Sequence, residues 1–120
     1  MFHSNGWTYT WGMAAVGGVN ICLRKFDASK LYHLIVDHGA MHICGAHVVL
    51  NMLSNFPVDD RTEAILRKNQ IDFLTAGSPP PAPILLRMEA LGFRVSHGYG
   101  LTETGGVVVS CAWKSKWNRF

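Results

Sequence analysis

The sequence predicts an α/β fold: a mostly parallel sheet of βαβ units flanked by helices. Short apolar runs of the strand type alternate with runs of helical periodicity along the chain. The connections between these runs are short, which is typical of parallel strands joined through helices. The 120 residues, 48% of them hydrophobic, allow one domain with a core and exclude a wholly disordered chain.

Five apolar runs are predicted strands, and the segments between them contain the helix signals. The predicted strands are Val19–Leu23, Met41–Cys44, Ile71–Ala76, Phe93–Ser96 and Val107–Cys111. A helix is predicted to begin after Asp27, whose carboxylate can accept a hydrogen bond from a free N–H of the first turn. We expect that helix to end at Gly39, because glycine readily takes the left-handed conformation that follows a helix.

Three further helices are predicted. Ala46–Leu53 is interpreted as a buried helix, although its valines leave that assignment ambiguous, and Thr62–Arg67 as a short exposed helix. Ser78, followed by three prolines, is expected to act as the N-cap of a helix with an apolar stripe that closes at Gly92. So few helices are expected to leave one face of a parallel sheet partly bare, although such sheets are usually covered on both faces.

The amino-acid composition of the chain excludes several classes of protein. Only 16% of the residues are charged, which is low for a small independent domain. It indicates either faces that pack against something else or a piece of a larger core. A net charge of +3 is too weak to indicate nucleic-acid binding. No apolar run approaches the roughly 20 residues of a membrane span, and no signal peptide is visible. Three separated cysteines, Cys22, Cys44 and Cys111, predict free buried thiols in a reducing compartment.

Two segments at the predicted ends of strands could bind a ligand. Thr75–Pro79 follows a strand and precedes a helix, although by itself an ordinary strand–turn–helix connection explains it better. His97–Gly106, which is also expected to be a loop after a strand, combines glycines with a tyrosine, a hydroxyl and a carboxylate. Such a loop could stack on a ring, donate to a phosphate oxygen and bind Mg²⁺, but a glycine-rich surface turn is the alternative. The spacing matches neither a P-loop nor a dinucleotide-binding fingerprint.

Three other clusters of side chains suggest a function but also have a structural explanation. The residues His38, His42, Cys44 and His47 match no usual zinc spacing, so partly buried polar side chains explain them better than a metal site does. The aromatic N-terminus around Trp7, Tyr9 and Trp11 could line an apolar pocket or pack on a neighbour. We interpret the basic and aromatic tail from Trp113 to Trp117 as a solvated segment.

Four segments in this order resemble the adenylate-forming (AMP-binding) superfamily, and most closely its plant-type acyl-activating enzymes, the acyl-CoA synthetases. The segments are MFHSNGW, AHVVLNML, LTAGSPPPA and HGYGLTETGG. The last is the most specific for the family. The resemblance covers residues 1–120 and implies part of the large N-terminal domain of an acyl-adenylate-forming enzyme. It implies an acid–thiol ligase that uses ATP, Mg²⁺ and coenzyme A on a carboxylic or fatty acid, located in the cytoplasm or in peroxisomes.

The resemblance also implies residue roles. The nucleotide-binding residues would be Gly77, Ser78, Pro79, Gly98, Tyr99, Gly100, Leu101 and Thr102. Tyr99 would stack on adenine, the two glycines beside it would give clearance, and Thr102 would hydrogen-bond the α-phosphate. Thr102 and Glu103 would be the catalytic residues, with Glu103 binding Mg²⁺. The acyl pocket would be formed by His3, Trp7, Gly45 and Val48.

The chain departs from the family pattern at two residues and in several regions. His47 replaces a usual proline, which changes the pocket wall, and Ser78 replaces a more usual alanine. We expect a central fragment that lacks the phosphate loop and the C-terminal lysine domain, and that is inactive in isolation. The missing remainder of the enzyme, or another protein, would cover its apolar faces. The alternative is a catalytically inactive remnant that acts at most as a weak nucleotide-binding or protein-interaction module.

Overall fold

A computed structural model describes residues 3–112 of the chain, except for the side chain of Ala112. The predicted solvated tail from Trp113 to Trp117 lies outside these residues. A π-helical segment, Asn5–Tyr9, continues into α1 (Thr10–Ala15), and we call the two together the N-terminal helix. The other helices are α2 (Ala28–His38), α3 (His47–Asn55), α4 (Asp60–Asn69) and α5 (Ala82–Ala90). The strands are β1 (His42–Cys44), β2 (Ile71–Ala76), β3 (Phe93–Leu101) and β4 (Gly106–Ala112).

The four strands form one sheet in the order β1-β2-β3-β4. The first three strands are parallel, and β4 pairs antiparallel with β3. A short 3₁₀ turn, Thr102–Thr104, joins β3 to β4. The predicted α/β class with a mostly parallel sheet is confirmed.

The core lies on one face of this sheet. In β2 and β3 the fully buried large side chains alternate along each strand and therefore share a face: Ile71, Phe73, Phe93 and Val95. They form one cluster with apolar residues of α2, α3, α4 and α5. The buried Tyr32 ring of α2 packs edge-on against Phe93, and its hydroxyl donates to the Leu53 carbonyl at 2.9 Å. Burial raises the pKa of Tyr32 to about 12.

The opposite face of the sheet is much less covered. Its residues Cys44, Leu74, Ala76 and Ser96 are only half-buried. Near its amino end, Arg94 Nη2 donates to Asp72 Oδ2 at 2.7 Å across β2 and β3, and His42 of β1 lies 3.6 Å from the same carboxylate. The prediction of a partly bare face is confirmed, and it explains the low content of charged residues.

The capping residues predicted for the two ends of α2 are confirmed. Asp27 Oδ1 accepts from the Lys30 N–H at 2.8 Å, and Gly39 has φ 64° after α2. Asp59, which was not predicted as a cap, begins α4 in the same manner by accepting from the Thr62 N–H at 2.8 Å. Those ends are predictable because each depends on residues within one helical turn.

Four local predictions are wrong. Val19–Leu23 is exposed and irregular, because it has no neighbouring strand with which to pair in the described part of the chain. Ser78 is not the cap of α5, since residues that precede proline disfavour helical geometry and the helix begins only at Ala82. His97–Leu101 is not loop but the second half of β3. Two of the three cysteines, Cys22 and Cys111, are exposed rather than buried.

Among residues 3–112, no helix is both long enough and apolar enough to cross a membrane.

Candidate functional site

The ends of β2 and β3 lie side by side at the carboxyl edge of the sheet. Thr75 pairs with His97 and Ala76 with Gly98, and that is the last pair of the ladder. Neighbouring strands lie about 4.8 Å apart, so the turn that follows β2 begins next to the residues that lead into Tyr99. The two predicted ligand-binding segments are therefore adjacent, although the chain separates them by some twenty residues.

Gly77 turns the chain out of β2 with a φ of 92°. This is a conformation that residues with a side chain rarely adopt. A Cβ built on Gly77 meets nothing within 4 Å, so the turn borders open space. Gly77, Ser78 and Pro79 are all exposed there.

His97 of β3 is bonded to this turn. Its Nε2 lies 3.2 Å from the Gly77 carbonyl oxygen, and because a carbonyl only accepts, the imidazole N–H donates. This bond joins β3 to the chain just beyond the last pair of the ladder.

The second half of β3 presents its larger side chains to solvent. Tyr99 is 61% exposed and Leu101 is 50% exposed. A register shift between Tyr99 and Gly100 interrupts the pairing with β4. The Tyr99 ring is thus available for stacking from outside the protein.

Gly98 and Gly100 are needed for the close approach of β4. A Cβ on Gly100 would lie 1.9 Å from the Gly106 carbonyl oxygen, and one on Gly98 would lie 2.9 Å from Val107 Cγ1. The space beside both glycines is therefore occupied by the neighbouring strand. Clearance for a nucleotide at these two positions stays a prediction.

The 3₁₀ turn that follows β3 carries Thr102 and Glu103 in exposed positions. Thr104 closes the turn, because its Oγ1 accepts from the Leu101 N–H at 2.9 Å and lies 2.9 Å from the carbonyl oxygens of Leu101 and Gly106. Glu103 thus extends from a rigid turn into solvent. A single exposed carboxylate suits Mg²⁺, which takes one or two carboxylates together with phosphate and water oxygens.

The N-terminal helix reaches both sides of this edge. A Cβ on Gly106, at the start of β4, would lie 3.1 Å from Ser4 Oγ. Farther along the helix, burial and, to a smaller extent, the negative charge of the deprotonated Cys44 of β1 raise the pKa of Tyr9. Trp7, between these two contacts, is 38% exposed. His3 lies two residues before the start of this helix at Asn5 and is exposed.

The predicted acyl-pocket wall lies at the end of β1. The Gly45 N–H donates to the Leu74 carbonyl at 3.1 Å, which extends the pairing of β1 with β2. A Cβ on Gly45 would lie 3.3 Å from both Phe73 Cζ and Val49 Cβ, so the glycine sits tightly against the core. Val48 is 52% exposed in the first turn of α3. That these residues form a common pocket with His3 and Trp7 stays a prediction.

The histidine and cysteine cluster does not form a metal site in the described residues. No group of three His, Cys, Asp or Glu side chains between residues 3 and 112 is placed to hold an ion. A groove of about 310 Å³ lies between α2 and the start of α4, and its lining, which includes His33, Phe56 and Arg61, contains none of the predicted site residues.

Two residues that contribute to the site geometry have no role in the sequence interpretation. His97 and Thr104 both belong to the HGYGLTETGG segment, but each acts through a hydrogen bond to the backbone. The sequence offered only an imidazole directly after the predicted strand Phe93–Ser96 and a hydroxyl three residues after Leu101. Neither signal specifies which carbonyl is bonded.

The whole chain, residues 1–120, matches the model of the family described as AMP-binding enzyme. The chain belongs to the AMP-binding enzyme family. Relatives from two plants align with nearly the full length of this chain.

The chain is 62% identical over 118 residues to 2-methylpropanoate–CoA ligase CCL4 of Humulus lupulus, a match that covers 98% of this chain and 20% of the relative. It is 60% identical over 119 residues to probable acyl-activating enzyme 5, peroxisomal, of Arabidopsis thaliana, which covers 99% of this chain and 21% of the relative.

Solved structures of AMP-binding enzymes share the fold. One is the O-succinylbenzoate coenzyme A synthetase of Bacillus subtilis in complex with ATP and magnesium ion, with a TM-score of 0.75 and 23% identity. The similarity covers 92% of this chain and 22% of that one. The chain therefore spans about a fifth of the length of the relatives that it matches.

Proposed function

We propose that these 120 residues form part of the large domain of an acyl-CoA ligase and contribute one side of its adenylate-forming site. The observation that carries the proposal is the pairing of Ala76 with Gly98. It brings the exposed Gly77 turn and the exposed Tyr99 ring to one edge of the sheet. In open α/β sheets, ligands bind at the carboxyl ends of the strands.

Each group at this edge suits one part of a bound nucleotide. The Tyr99 ring stacks on the adenine, and the backbone of Gly77, Ser78 and Pro79 borders the base and ribose. The Thr102 hydroxyl donates to an α-phosphate oxygen. Glu103 holds Mg²⁺, which when bound offsets phosphate charge as the α-phosphorus is attacked.

The proposed reaction has two steps. A carboxylate oxygen of the acid attacks the α-phosphorus of ATP, forming the acyl-adenylate and releasing pyrophosphate. The thiol of coenzyme A then attacks the acyl carbonyl carbon and releases AMP. Residues of this chain act in the first step by positioning the nucleotide and by stabilising the charge on its phosphate.

The proposed acid is a carboxylic or fatty acid held between the N-terminal helix and the end of β1. His3 and Trp7 line one side of the pocket, and Gly45 and Val48 line the other. The presence of His47 in the first turn of α3, beside Val48, would make that end of the pocket more polar. A relative named peroxisomal supports peroxisomes as one compartment for the whole enzyme, with the cytoplasm as the other.

The test is a chimeric ligase. This chain replaces the 118 matching residues of the Humulus lupulus ligase, with which it shares 62% identity. We expect the chimera to catalyse carboxylate-dependent exchange of labelled pyrophosphate into ATP. The parent ligase is the positive control, and the isolated chain is expected to show no exchange. A chimera that matches the parent in circular dichroism and elution volume but gives no exchange would refute the proposal.

The exposed valines of β4 favour a second candidate, a remnant that binds nucleotide weakly or pairs with another protein. Val108 and Val109 are 55% and 63% exposed on the last strand of the described sheet. An apolar edge strand is a template for pairing with another chain. An inactive chimera, together with an isolated chain that binds AMP, would support this candidate.

A further inference from the structure

We infer that His97 is a positioning residue that sets the separation between the Gly77 turn and the Tyr99 ring. The inference deepens the proposed function and rests on it, because it assigns to His97 the geometry of the same nucleotide site. It stands on one hydrogen bond, that from His97 Nε2 to the Gly77 carbonyl oxygen at 3.2 Å.

This hydrogen bond can fix the turn because it lies just beyond the end of the pairing between β2 and β3. The parallel ladder between β2 and β3 ends at Ala76 and Gly98, so regular pairing stops before the chain turns at Gly77. The imidazole reaches one residue beyond that end and bonds the first carbonyl of the turn. It therefore extends the connection between the two strands by one side-chain hydrogen bond.

The part of the turn that this bond reaches is exposed, and the chain is buried again only at Pro80. Gly77 is exposed with a φ of 92°, and no atom lies within 4 Å of the position that a Cβ would occupy. Ser78 and Pro79 are also exposed. His97, by contrast, lies half-buried within a regular strand, opposite the fully buried Thr75. The bond thus connects an exposed turn to a paired strand of the sheet.

The same strand carries the ring that is proposed to stack on adenine. Tyr99 follows His97 by two residues, so both side chains point to the same side of β3. The imidazole holds the turn at a fixed place relative to that ring. Contacts from the ring and from the turn are present in both the ground state and the transition state, so their loss raises KM for ATP more than it lowers kcat.

The tautomer of His97 follows from the chemistry of the Gly77 carbonyl oxygen that accepts its hydrogen bond. A carbonyl oxygen can only accept, so Nε2 must carry the hydrogen. A glutamine side chain has its amide nitrogen at a similar reach and can donate in the same place. An asparagine is shorter by one methylene, and a leucine has no donor.

The experiment compares four variants in the chimeric ligase. His97→Leu is expected to raise KM for ATP about three- to tenfold, as befits the loss of one hydrogen bond, with kcat changed less than about twofold. His97→Gln is expected to restore KM to within about twofold, and His97→Asn is not. His33→Leu is the matched control, because His33 Nδ1 also lies 2.8 Å from a backbone carbonyl, that of Ser29, but on the exposed surface of α2. It is expected to leave KM for ATP unchanged.

Hydrogen–deuterium exchange provides a readout that does not need activity. The peptide that covers residues 74–78 is expected to exchange faster in His97→Leu than in the unsubstituted chimera, and at the original rate in His97→Gln. If the unsubstituted chimera is inactive, the proposed function fails while this measurement still decides the role of His97. Equal exchange in the leucine and glutamine variants, or a loss of kcat with KM for ATP unchanged, would overturn the inference.

Discussion

Gly100 of β3 lies so close to Gly106 of β4 that a Cβ on Gly100 would be 1.9 Å from the Gly106 carbonyl oxygen. Real Cβ atoms do not approach backbone oxygen at that distance, so the antiparallel pairing of β3 with β4 requires glycine at this position. The turn that carries Thr102 and Glu103 lies between these two glycines. The hairpin and the proposed phosphate site therefore depend on the same close approach.

Gly100→Ala is expected to separate β3 from β4. The clash is with backbone, which cannot move aside as a flexible side chain can, and we expect a loss of about 2 kcal/mol or more in the free energy of unfolding. Gly12→Ala is the control, because nothing lies within 4 Å of its Cβ position in α1, where alanine is the better helix former. The melting temperatures of the chimeric ligase with each substitution measure the two effects on stability. Equal melting temperatures for the two variants would contradict the described hairpin.

Tyr99→Ala and Glu103→Ala are expected to affect different kinetic constants. Removal of the ring takes away a stacking surface, which is worth about 1–3 kcal/mol for a base, so KM for ATP should rise about tenfold or more. Removal of the Glu103 carboxylate takes away the proposed Mg²⁺ ligand, so kcat for adenylation should fall by about a hundredfold. Both side chains are exposed, so neither change should affect folding. Unchanged pyrophosphate exchange in both variants would remove these assignments.

Thr75→Val is expected to stabilise the protein. The Thr75 side chain is completely buried, and its Oγ1 has no hydrogen-bond partner among the described residues. A buried hydroxyl without a partner costs free energy that an apolar group of the same shape does not, so we expect a gain of about 1 kcal/mol. Thr75→Ser keeps the hydroxyl and loses the methyl group, so it should be less stable than the original. A destabilised valine variant would mean that the hydroxyl is bonded.

The Asp72–Arg94 pair predicts a pH dependence of stability. Hydrogen bonding from Arg94, and then its positive charge, holds the pKa of Asp72 below its ordinary value. A carboxyl group whose pKa is lower in the folded state stabilises that state above its unfolded pKa of about 3.9. This contribution is lost as the pH falls through the folded pKa.

A double-mutant cycle measures that contribution. Asp72→Asn, Arg94→Met and the double variant isolate the coupling energy of the pair. We expect about 0.5–1 kcal/mol at pH 7, because the pair is partly exposed and water screens it. The coupling should fall as the pH drops below the unfolded pKa of about 3.9 and through the lower folded pKa of Asp72. Coupling that stays constant over this range would show that the carboxylate does not titrate as described.

The isolated chain is expected to self-associate or to unfold partly. Val109 is 63% exposed on β4, and an apolar edge strand readily pairs with another copy. Val109→Lys should reduce association in sedimentation velocity experiments, because a charged residue on an edge opposes strand pairing. Leu86→Lys is the control, since Leu86 is 49% exposed but lies on α5, away from the edge. A monodisperse monomer with a sharp cooperative melt would contradict this expectation.

Features that depend on neighbours within one turn were predictable from the sequence. Ile71–Ala76 is a strand with the predicted bounds, and the helix after Asp27 ends at Gly39. The family could also be recognised, because the order of four short segments is read directly along the chain. The placement of site residues was less predictable, since the HGYGLTETGG segment contains local signals for a loop but half of it lies in β3.

Local properties of the chain were enough to predict the α/β class, the family and both caps of α2, because periodicity, motif order and capping residues are read from neighbouring positions. Long-range packing was needed to show that Val19–Leu23 has no strand to pair with among the described residues and that His97 bonds the Gly77 carbonyl. It also decided that β4 fills the space beside Gly98 and Gly100. Each of these depends on which distant segment lies alongside, and that is set by the packing of the sheet and its helices as a whole.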